Sequence, residues 1–379
     1  LVGPASAEQA QQAGPPVLPG DPIGVSGLQR RQDPMLRGKA GAMIRLAPRQ
    51  VPPGAPSPAA SPGPRPLLFE AEPVVGPDLR TTFDSDLQRR AEAAVEDTPG
   101  SAALVAVRPS DGAIVAAAVS AGSGADPDAT FGHVAPGSTF KIVTALALLR
   151  AGLTPESLVN CTETVVVDGR EFKNFAGYPA AKLGRITLRE AVAQSCNTAL
   201  IAEHERVSPA ELRRAAASLG VGTDYEAGFS SFFGEVPDPV NLVGKAESLI
   251  GQGTVQVSPM AMAGVAASVA AGRTVVPRLV AGFDPPAPVP AHALSEAEAA
   301  ALQSMMTEGV SSGTATELSG ALRGAKTGTA EFGTAVPPAT HAWLIGYAAD
   351  DLAVAVWVHD GASGSATAGP IVRDFLTGD

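Results

Sequence analysis

Short apolar segments lie at two distant parts of this 379-residue chain. Ala103–Val107 and Ala113–Val119 flank Pro109-Ser110-Asp111-Gly112, a sequence typical of a hairpin turn. Further strand-like segments occur only near the end of the chain. The residues between the early and the late strands have mostly helical patterns. This order predicts one sheet whose edges come from both ends of the chain, with a helical segment inserted within it. The expected late elements are three strands and a helix, at about 321–331, 341–349, 352–359 and 366–377.

Helical patterns account for most of the remaining sequence. Asp84 suits the N-cap of a helix that runs to about Glu96, and an apolar helix should begin near Ser138 and end near Gly152. Residues 1–20 are rich in Ala, Gln, Pro and Gly, so we expect them to be poorly ordered at the start. Further helices are expected at about 187–205, 209–219, 259–271 and 295–306.

Composition excludes several classes of function. A net charge of −11 and an isoelectric point near 5.0 argue against nucleic acid as the main partner. The chain contains no run of 18 or more apolar residues, so the sequence predicts no membrane-spanning helix. The chain begins at Leu1 without a basic or apolar leader, so we expect that any signal or anchor has been removed. Two cysteines and five histidines without ligand spacing predict no metal site, and no cofactor is expected.

Lysine is rare in the chain, with six residues against 21 arginines. Two of the six stand in short motifs, as the last residue of Ser138-Thr139-Phe140-Lys141 and the first of Lys326-Thr327-Gly328-Thr329. A buried ammonium can lose its proton, whereas a guanidinium in a protein cannot. A chain that otherwise prefers arginine therefore uses lysine where a deprotonatable amine is needed.

Ser138 is the candidate nucleophile. It follows Pro136-Gly137 and precedes an apolar helix, so it should lie at a helix N-terminus, where free N–H groups and the helix dipole favour an anion. Lys141, three residues later, lies on the same helical face and within reach of the Ser138 hydroxyl. A neutral Lys141 could accept the Ser138 proton, which meets the requirement for covalent catalysis.

Two further elements complete the pattern. Ser195-Cys196-Asn197 follows a short helical pattern, and Gly328 interrupts a strand-like run, which suggests that a ligand approaches that backbone closely. Each motif alone is weak, because an isolated Ser-x-x-Lys is usually a helix cap. Together, in this order and separated by 57 and 131 positions, they match the set found in penicillin-binding proteins and class A β-lactamases.

The whole sequence from about residue 21 resembles monofunctional, class B penicillin-binding proteins. The similar stretches include Pro136 to Lys141, Ile250-Gly251-Gln252-Gly253, Gly313-Thr314-Ala315 and Lys326 to Glu331. The resemblance implies an α/β fold of the α+β type: a central antiparallel sheet flanked by helices, with an inserted helical subdomain. Residues 81–379 would be the transpeptidase domain. Residues 1–80 would be the end of an N-terminal pedestal or dimerisation region, with a Pro-rich insertion at 47–66 that is flexible or extended.

The resemblance also implies a role for each matched catalytic residue. Ser138 would attack the penultimate D-alanine carbonyl of a peptidoglycan stem peptide, with Lys141 as general base. Ser195 would help relay a proton to the leaving amine, and Asn197 would hold Lys141 and the substrate amide. An amine from a neighbouring stem would then capture the acyl-enzyme.

The Lys-Thr-Gly segment would bind the substrate. Lys326 would depress the pKa of Lys141 by its charge, and with Thr327 and Thr329 it would receive the terminal carboxylate, beside Gly328. The backbone N–H groups of Ser138 and Thr329 would form the oxyanion hole. The resemblance further implies covalent inhibition by β-lactams, divisome or elongation partners, and a site outside the bacterial cell membrane, held by an N-terminal anchor.

Several alternatives stay open. A class A β-lactamase needs a deacylating glutamate after the Ser-x-Asn element; Glu156-Ser157-Leu158-Val159-Asn160 differs in pattern and precedes Ser195. Class D enzymes share Ser-Thr-Phe-Lys but have valine where Asn197 stands. A D,D-carboxypeptidase with water as acceptor stays possible, because the acceptor site has no sequence signature. A sensor that binds β-lactam or stem peptide without turnover is the non-enzyme alternative, although the intact motif side chains argue against it.

Three other residues have less specific interpretations. His133 precedes Ser138 by five positions, but no third member of a catalytic triad is apparent. Cys196 is expected to be a small buried residue and not a nucleophile. An extracytoplasmic location would permit a disulfide between Cys161 and Cys196, but sequence cannot place their Cα atoms within the required 7 Å or so.

Overall fold

The computed structural model describes residues 2–14, 17–46, 66–123, 128–223, 226–283, 289–333 and 338–378. These residues form two compact units, Leu1–Arg80 and Thr81–Asp379. The predicted Pro-rich insertion at 47–66 lies almost entirely outside the described residues. No helix among the described residues is both long enough and apolar enough to cross a bilayer.

The first unit contains short elements. Strand β1 (Val2–Pro4) pairs with β2 (Pro22–Gly24), and β3 (Ala42–Arg45) pairs with β4 (Leu67–Ala71). The expectation of poor order at the start is wrong, because Ser6 and Gln9 form a reciprocal cap that begins a regular helix. The helices are α1 (Ala7–Ala13), α2 (Gly27–Arg31) and α3 (Asp33–Leu36).

The second unit is built on a five-stranded antiparallel sheet. Its strands are β5 (Ala102–Val107), β6 (Ile114–Val119), β11 (Gly324–Phe332), β12 (Ala339–Tyr347) and β13 (Ala353–Val358). Their order is β11-β12-β13-β5-β6, so one edge strand comes from each end of the unit. The predicted sheet is therefore confirmed.

Helices cover both faces of the sheet. On one face α4 (Ser85–Glu96) and α13 (Gly369–Thr377) pack against it, with Phe375 and Val95 fully buried. On the other face lies α11 (Pro259–Ala271), which is apolar around its whole circumference and buried along nearly its whole length. Helix α12 (Glu296–Ser311) contacts the edge strand β11. As predicted, Asp84 caps α4, accepting from the N–H groups of Asp86 and Leu87.

The inserted segment between β6 and β11 is helical but also contains short strands that the sequence did not indicate. Its two strand pairs are β7 (Leu158–Cys161) with β10 (Gly184–Thr187), and β8 (Thr164–Val167) with β9 (Arg170–Lys173). Its remaining helices are α5 (Asp128–Phe131), α6 (Lys141–Arg150), α7 (Leu188–Ala193), α8 (Asn197–Ala202), α9 (Pro209–Ser218) and α10 (Leu242–Ser248).

One disulfide joins two parts of the inserted segment. Cys161, at the end of β7, bonds Cys196, between α7 and α8, with an S–S distance of 2.07 Å and Cα atoms 6.2 Å apart. Both residues are fully buried. The bond ties the residues between α7 and α8 to the β7–β10 pair.

Replacing both cysteines by serine should lower the free energy of unfolding by about 4 kcal/mol, because the bond closes a loop of 35 residues. Chemical denaturation of the wild type and the double variant measures this difference. Thiol titration of the denatured, unreduced wild type should find no free thiol. Two titratable thiols would contradict the bond.

Candidate active site

Ser138 lies in a tight turn that leads into α6. The predicted helix begins as a 3-10 turn, Gly137–Phe140, before the α-helix proper. Gly137 has a φ angle of 51°, and a Cβ there would meet the Thr329 carbonyl oxygen at 2.6 Å. Its N–H donates to the Gly251 carbonyl oxygen at 2.9 Å. Only glycine fits this backbone and this close approach of β11.

A second contact anchors the segment before Ser138. The Trp343 indole Nε1–H donates to the Ala135 carbonyl oxygen at 2.9 Å, and the Thr139 hydroxyl donates to the Pro136 carbonyl oxygen at 2.7 Å. Trp343 is fully buried in β12. The sheet therefore fixes the turn, and the turn fixes Ser138.

Lys141, at the first position of α6, is fully buried. Its Nζ donates to the Ser195 carbonyl oxygen at 2.7 Å and to Asn197 Oδ1 at 2.6 Å. A longer contact of 3.2 Å joins it to Ser195 Oγ. A neutral amine has two hydrogens and one lone pair. Because both short contacts go to oxygens that only accept, a neutral Lys141 would use both hydrogens there and keep its lone pair for a hydroxyl.

Ser195 interrupts the helix that the sequence predicted over 187–205. Its φ angle is 60°, in the left-handed region that few residues other than glycine adopt. Helix α7 ends before it and α8 begins at Asn197. This break turns both the carbonyl and the hydroxyl of Ser195 toward Lys141. The apolar periodicity on either side gave no sign of the break.

Lys326, in the edge strand β11, approaches Ser195 from the opposite side. Its Nζ donates to Ser195 Oγ at 2.9 Å and to the Thr327 carbonyl oxygen at 2.7 Å. The Ser195 hydroxyl thus lies between two buried amines. The three short motifs that were distant in sequence meet at this hydroxyl.

A groove of about 770 Å³ lies beside β11. Of the predicted site residues, Ser138, Ser195 and Asn197 line it from the helical side, while Thr327, Gly328 and Thr329 line it from the sheet. Lys141 and Lys326 are buried and are not among its lining residues.

Residues 102–377 match the family described as the penicillin binding protein transpeptidase domain. The chain belongs to this family. It is 34% identical to the peptidoglycan D,D-transpeptidase PbpA of Mycobacterium tuberculosis over 273 residues, which are 64% of this chain and 54% of PbpA. The chain therefore spans about half the length of that relative.

Solved structures of this family share the fold. The imipenem acyl-enzyme of penicillin-binding protein A from M. tuberculosis superposes with a TM-score of 0.70 at 27% identity, covering 80% of each chain. A chain of a peptidoglycan synthase complex, described as coordinating polymerization and crosslinking, gives a TM-score of 0.77 at 27% identity. That match covers 99% of this chain and 73% of the other. The α+β fold with a central antiparallel sheet is thus that of penicillin-binding proteins.

The structure changes the interpretation of one family motif. The sequence suggested that a ligand explains the glycine at 328, but its close neighbours are protein atoms. A Cβ at Gly328 would meet Thr139 Cγ2 at 2.9 Å and Trp343 Cβ at 3.0 Å. The glycine lets β11 approach the Ser138 turn. Its predicted contact with substrate is a separate proposal.

Two residues at the site were missed by the sequence interpretation. The Thr314 and Thr327 hydroxyl oxygens lie 2.5 Å apart, so Thr314, within a stretch similar to the family, orients the Lys-Thr-Gly threonine. Asn174 lines the groove and contacts the backbone of Asn197 at 2.8 Å. No motif surrounds Asn174, and only its position after an alternating strand could have drawn attention to it.

His133 and Cys196, which had less specific interpretations, both lie in the described part of the chain. His133 stacks on Phe232 with ring centroids 3.7 Å apart and does not line the groove. Cys196 is in the disulfide and so has no thiol to act as a nucleophile. Among the described residues, no group of three or more His, Cys, Asp or Glu side chains could hold a metal ion.

The two buried amines have strongly altered pKa values. Burial lowers the pKa of Lys326 from its ordinary 10.5 to about 7. Burial, and then the neighbouring charge of Lys326, lower the pKa of Lys141 well below 10.5. Within the described part of the chain neither amine forms an ion pair with a carboxylate. Two adjacent ammonium ions without a counter-ion are costly in a buried site, so at neutral pH Lys141 is the amine that loses its proton.

The altered pKa of Lys326 makes the stability of the protein depend on pH. The unfolded chain protonates this amine below about pH 10.5, whereas the folded protein does so only below about pH 7. Stability therefore falls as the pH is lowered from 10.5 to 7, by up to roughly 5 kcal/mol from this residue, and the contribution is constant below.

Lys326→Met removes this proton-linked contribution. The free energy of unfolding of the variant, minus that of the wild type, should rise as the pH is lowered from 10 to 7. Denaturant titrations at several pH values measure the difference, and groups that titrate equally in both proteins cancel. A difference that does not change with pH would contradict the lowered pKa.

Proposed function

We propose that the protein is a peptidoglycan D,D-transpeptidase that cross-links stem peptides through an acyl-enzyme on Ser138 and is inhibited covalently by β-lactams. One observation carries this proposal: Lys141 is buried, has no carboxylate partner among the described residues, and is held by Ser195 and Asn197 beside the turn that bears Ser138. The relatives support it, because PbpA carries that activity in its name and penicillin-binding protein A forms an imipenem acyl-enzyme.

Acylation begins with the Ser138 hydroxyl. Its oxygen attacks the carbonyl carbon of the penultimate D-alanine, and its proton passes to the lone pair of neutral Lys141. The carbonyl oxygen becomes an oxyanion, which accepts hydrogen bonds from the Ser138 and Thr329 N–H groups. The hydrogen bonds of Lys141 to Ser195 and Asn197 hold the amine in place while its charge changes.

The tetrahedral intermediate then releases the terminal D-alanine. The C–N bond breaks, and its nitrogen takes up the proton held by Lys141, relayed through the Ser195 hydroxyl. Ser195 suits this role because its Oγ already lies within 3.2 Å of Lys141 and 2.9 Å of Lys326. An acceptor amine next attacks the ester, returns Ser138 to its hydroxyl form and completes the cross-link.

The Lys326 side of the groove receives the terminal carboxylate. A protonated Lys326, with the hydroxyls of Thr327 and Thr329 and the strand at Gly328, supplies the positive charge and donors that a carboxylate needs. A bound carboxylate would also supply the counter-ion that the two amines lack. The unpaired positive charge of the free site therefore favours binding of the carboxylate.

The proposed location and partners rest on the expected ligands and on the resemblance to class B penicillin-binding proteins. Stem peptides and β-lactams are the expected ligands, and these lie outside the cytoplasmic membrane. An N-terminal anchor, a pedestal in residues 1–80, and a divisome or elongation partner are carried over from the resemblance. A relative in a complex of polymerization and crosslinking supports an association with a glycan polymerase.

Intact-mass measurement after mixing with benzylpenicillin tests the proposal. We expect one adduct per chain that accumulates, because no glutamate of the described residues contacts Ser138 or Lys141 to activate water for hydrolysis. Ser138→Ala should abolish the adduct, whereas Ser195→Ala should only slow its formation. Rapid hydrolysis of a chromogenic cephalosporin without an adduct would favour a β-lactamase instead.

Turnover of a stem-peptide donor separates the remaining alternatives. Cross-linked product in the presence of an acceptor amine supports the transpeptidase. Release of D-alanine with water as the only acceptor indicates a D,D-carboxypeptidase. An adduct with β-lactam but no turnover of any donor indicates a sensor.

Lys141→Arg should lose at least about a hundredfold in the rate of acylation, since charge and rough length are kept but the base is lost. Its permanent charge in a buried site should also lower the stability of the variant, so the rate is measured on protein shown by circular dichroism to be folded. Stopped-flow or quenched mass measurements with benzylpenicillin give the rate. Lys182→Arg, at a half-buried ion pair with Glu190, is the matched control and should acylate normally. Acylation of the Lys141 variant within tenfold of the wild type would rule out Lys141 as the base.

A further inference from the structure

The side chain of Asn174, half-buried just after β9, makes hydrogen bonds to three backbone groups. Its Oδ1 accepts from the N–H groups of Asn197 at 2.8 Å and Thr198 at 3.2 Å, the first two residues of α8. Its Nδ2 donates to the Thr162 carbonyl oxygen at 2.9 Å, just after β7. One side chain thus joins the segment after β7, the end of β9 and the start of α8.

The backbone next to Asn174 also contacts the side chain of Asn197. The Asn197 Nδ2 donates to the Lys173 carbonyl oxygen at 2.8 Å, so its amide is oriented with Oδ1 toward Lys141. That oxygen accepts from Lys141 Nζ at 2.6 Å. The contacts therefore form a continuous path from Asn174, through the backbone and side chain of Asn197, to the amine.

We propose that Asn174 is a positioning residue for the reaction: it sets the place of Asn197 and thereby the place of the Lys141 amine. The inference rests on the proposed function only for its kinetic consequence. The structural part, that Asn174 holds the start of α8, stands on the hydrogen bonds alone.

The disulfide makes this role separable from folding. Cys196 stays bonded to Cys161 when Asn174 is changed, and Thr198 Oγ1 still donates to the Thr162 carbonyl oxygen at 2.7 Å. The residues between α7 and α8 therefore stay tethered in Asn174→Ala. What is lost is the fixed position of the Asn197 backbone, and small displacements of a catalytic group are costly in rate.

Amide-resolved hydrogen exchange tests the structural part without substrate. In Asn174→Ala the Asn197 and Thr198 amides should exchange at least about fivefold faster than in the wild type, because their acceptor is gone. Asn174→Asp keeps an oxygen that accepts from these amides but loses the donor to the Thr162 carbonyl oxygen, so it should restore part of the protection. Asn160→Ala is the matched control, since Asn160 is exposed on neighbouring β7 and pairs there through its backbone.

The second-order rate of acylation by benzylpenicillin tests the kinetic part. Asn174→Ala should lose about tenfold to a hundredfold, whereas Asn160→Ala should match the wild type. When Asn197 is already alanine, Asn174→Ala should change the rate by less than about twofold. Asn174 affects the rate through the Asn197 side chain, which this background lacks.

The outcomes separate the two claims. Unchanged exchange of the Asn197 and Thr198 amides in Asn174→Ala overturns the inference, as does a wild-type acylation rate in that variant. Additive effects of Asn174→Ala and Asn197→Ala also overturn it, because they show that Asn174 does not act through Asn197. If the wild type forms no adduct, the proposed function fails, while hydrogen exchange still decides whether Asn174 holds α8.

Discussion

Two lysine amines meet at one serine hydroxyl in a buried site that gives them no carboxylate. Lys141 Nζ lies 3.2 Å and Lys326 Nζ lies 2.9 Å from Ser195 Oγ. Burial of an unpaired ammonium costs several kcal/mol, so the arrangement weakens the fold in order to keep one amine neutral. A salt bridge to either lysine would relieve that cost and would also raise the pKa of the base. The account of catalysis depends on the absence of that carboxylate within the described site.

Four features of the surrounding structure position the two amines and the nucleophile turn. Ser195 has a left-handed backbone, Gly137 lets the nucleophile turn approach β11, and the disulfide and Asn174 fix the segment between α7 and α8. The lysines come from different parts of the fold, one from a buried helix and one from an edge strand. Because each constraint joins elements that are far apart in sequence, the site forms only when the sheet and the inserted segment have both folded.

The sheet and the three motifs could be predicted because each leaves a local signal. Alternating or continuous apolar runs mark the five strands, and glycine, lysine and serine at fixed offsets mark the site. The break at Ser195 could not be predicted, since Leu188–Ala193 and Asn197–Ala202 are both apolar enough to continue one helix. The strain there is stabilised by contacts with Lys141 and the disulfide, which are not local.

Other features depended on distances that sequence does not contain. The disulfide required the Cα atoms of Cys161 and Cys196 to come within reach. The close approach of Thr139 and Trp343 to Gly328 could not be predicted, because both residues come from distant segments. Asn174 carries no motif, and its importance appears only when its three partners are seen together. The disulfide, the neighbours of Gly328 and the contacts of Asn174 therefore depend on tertiary structure, which local sequence patterns do not record.

The protonation state of Lys141 is the central claim, and an NMR pH titration of protein labelled with ¹³C-lysine measures it directly. The chain has only six lysines, so the Cε signals can be assigned with single Lys→Arg variants. The account predicts that Lys326 titrates near pH 7 and that Lys141 loses its proton well below the ordinary lysine pKa of 10.5. A Lys141 signal that titrates at that ordinary value would contradict it.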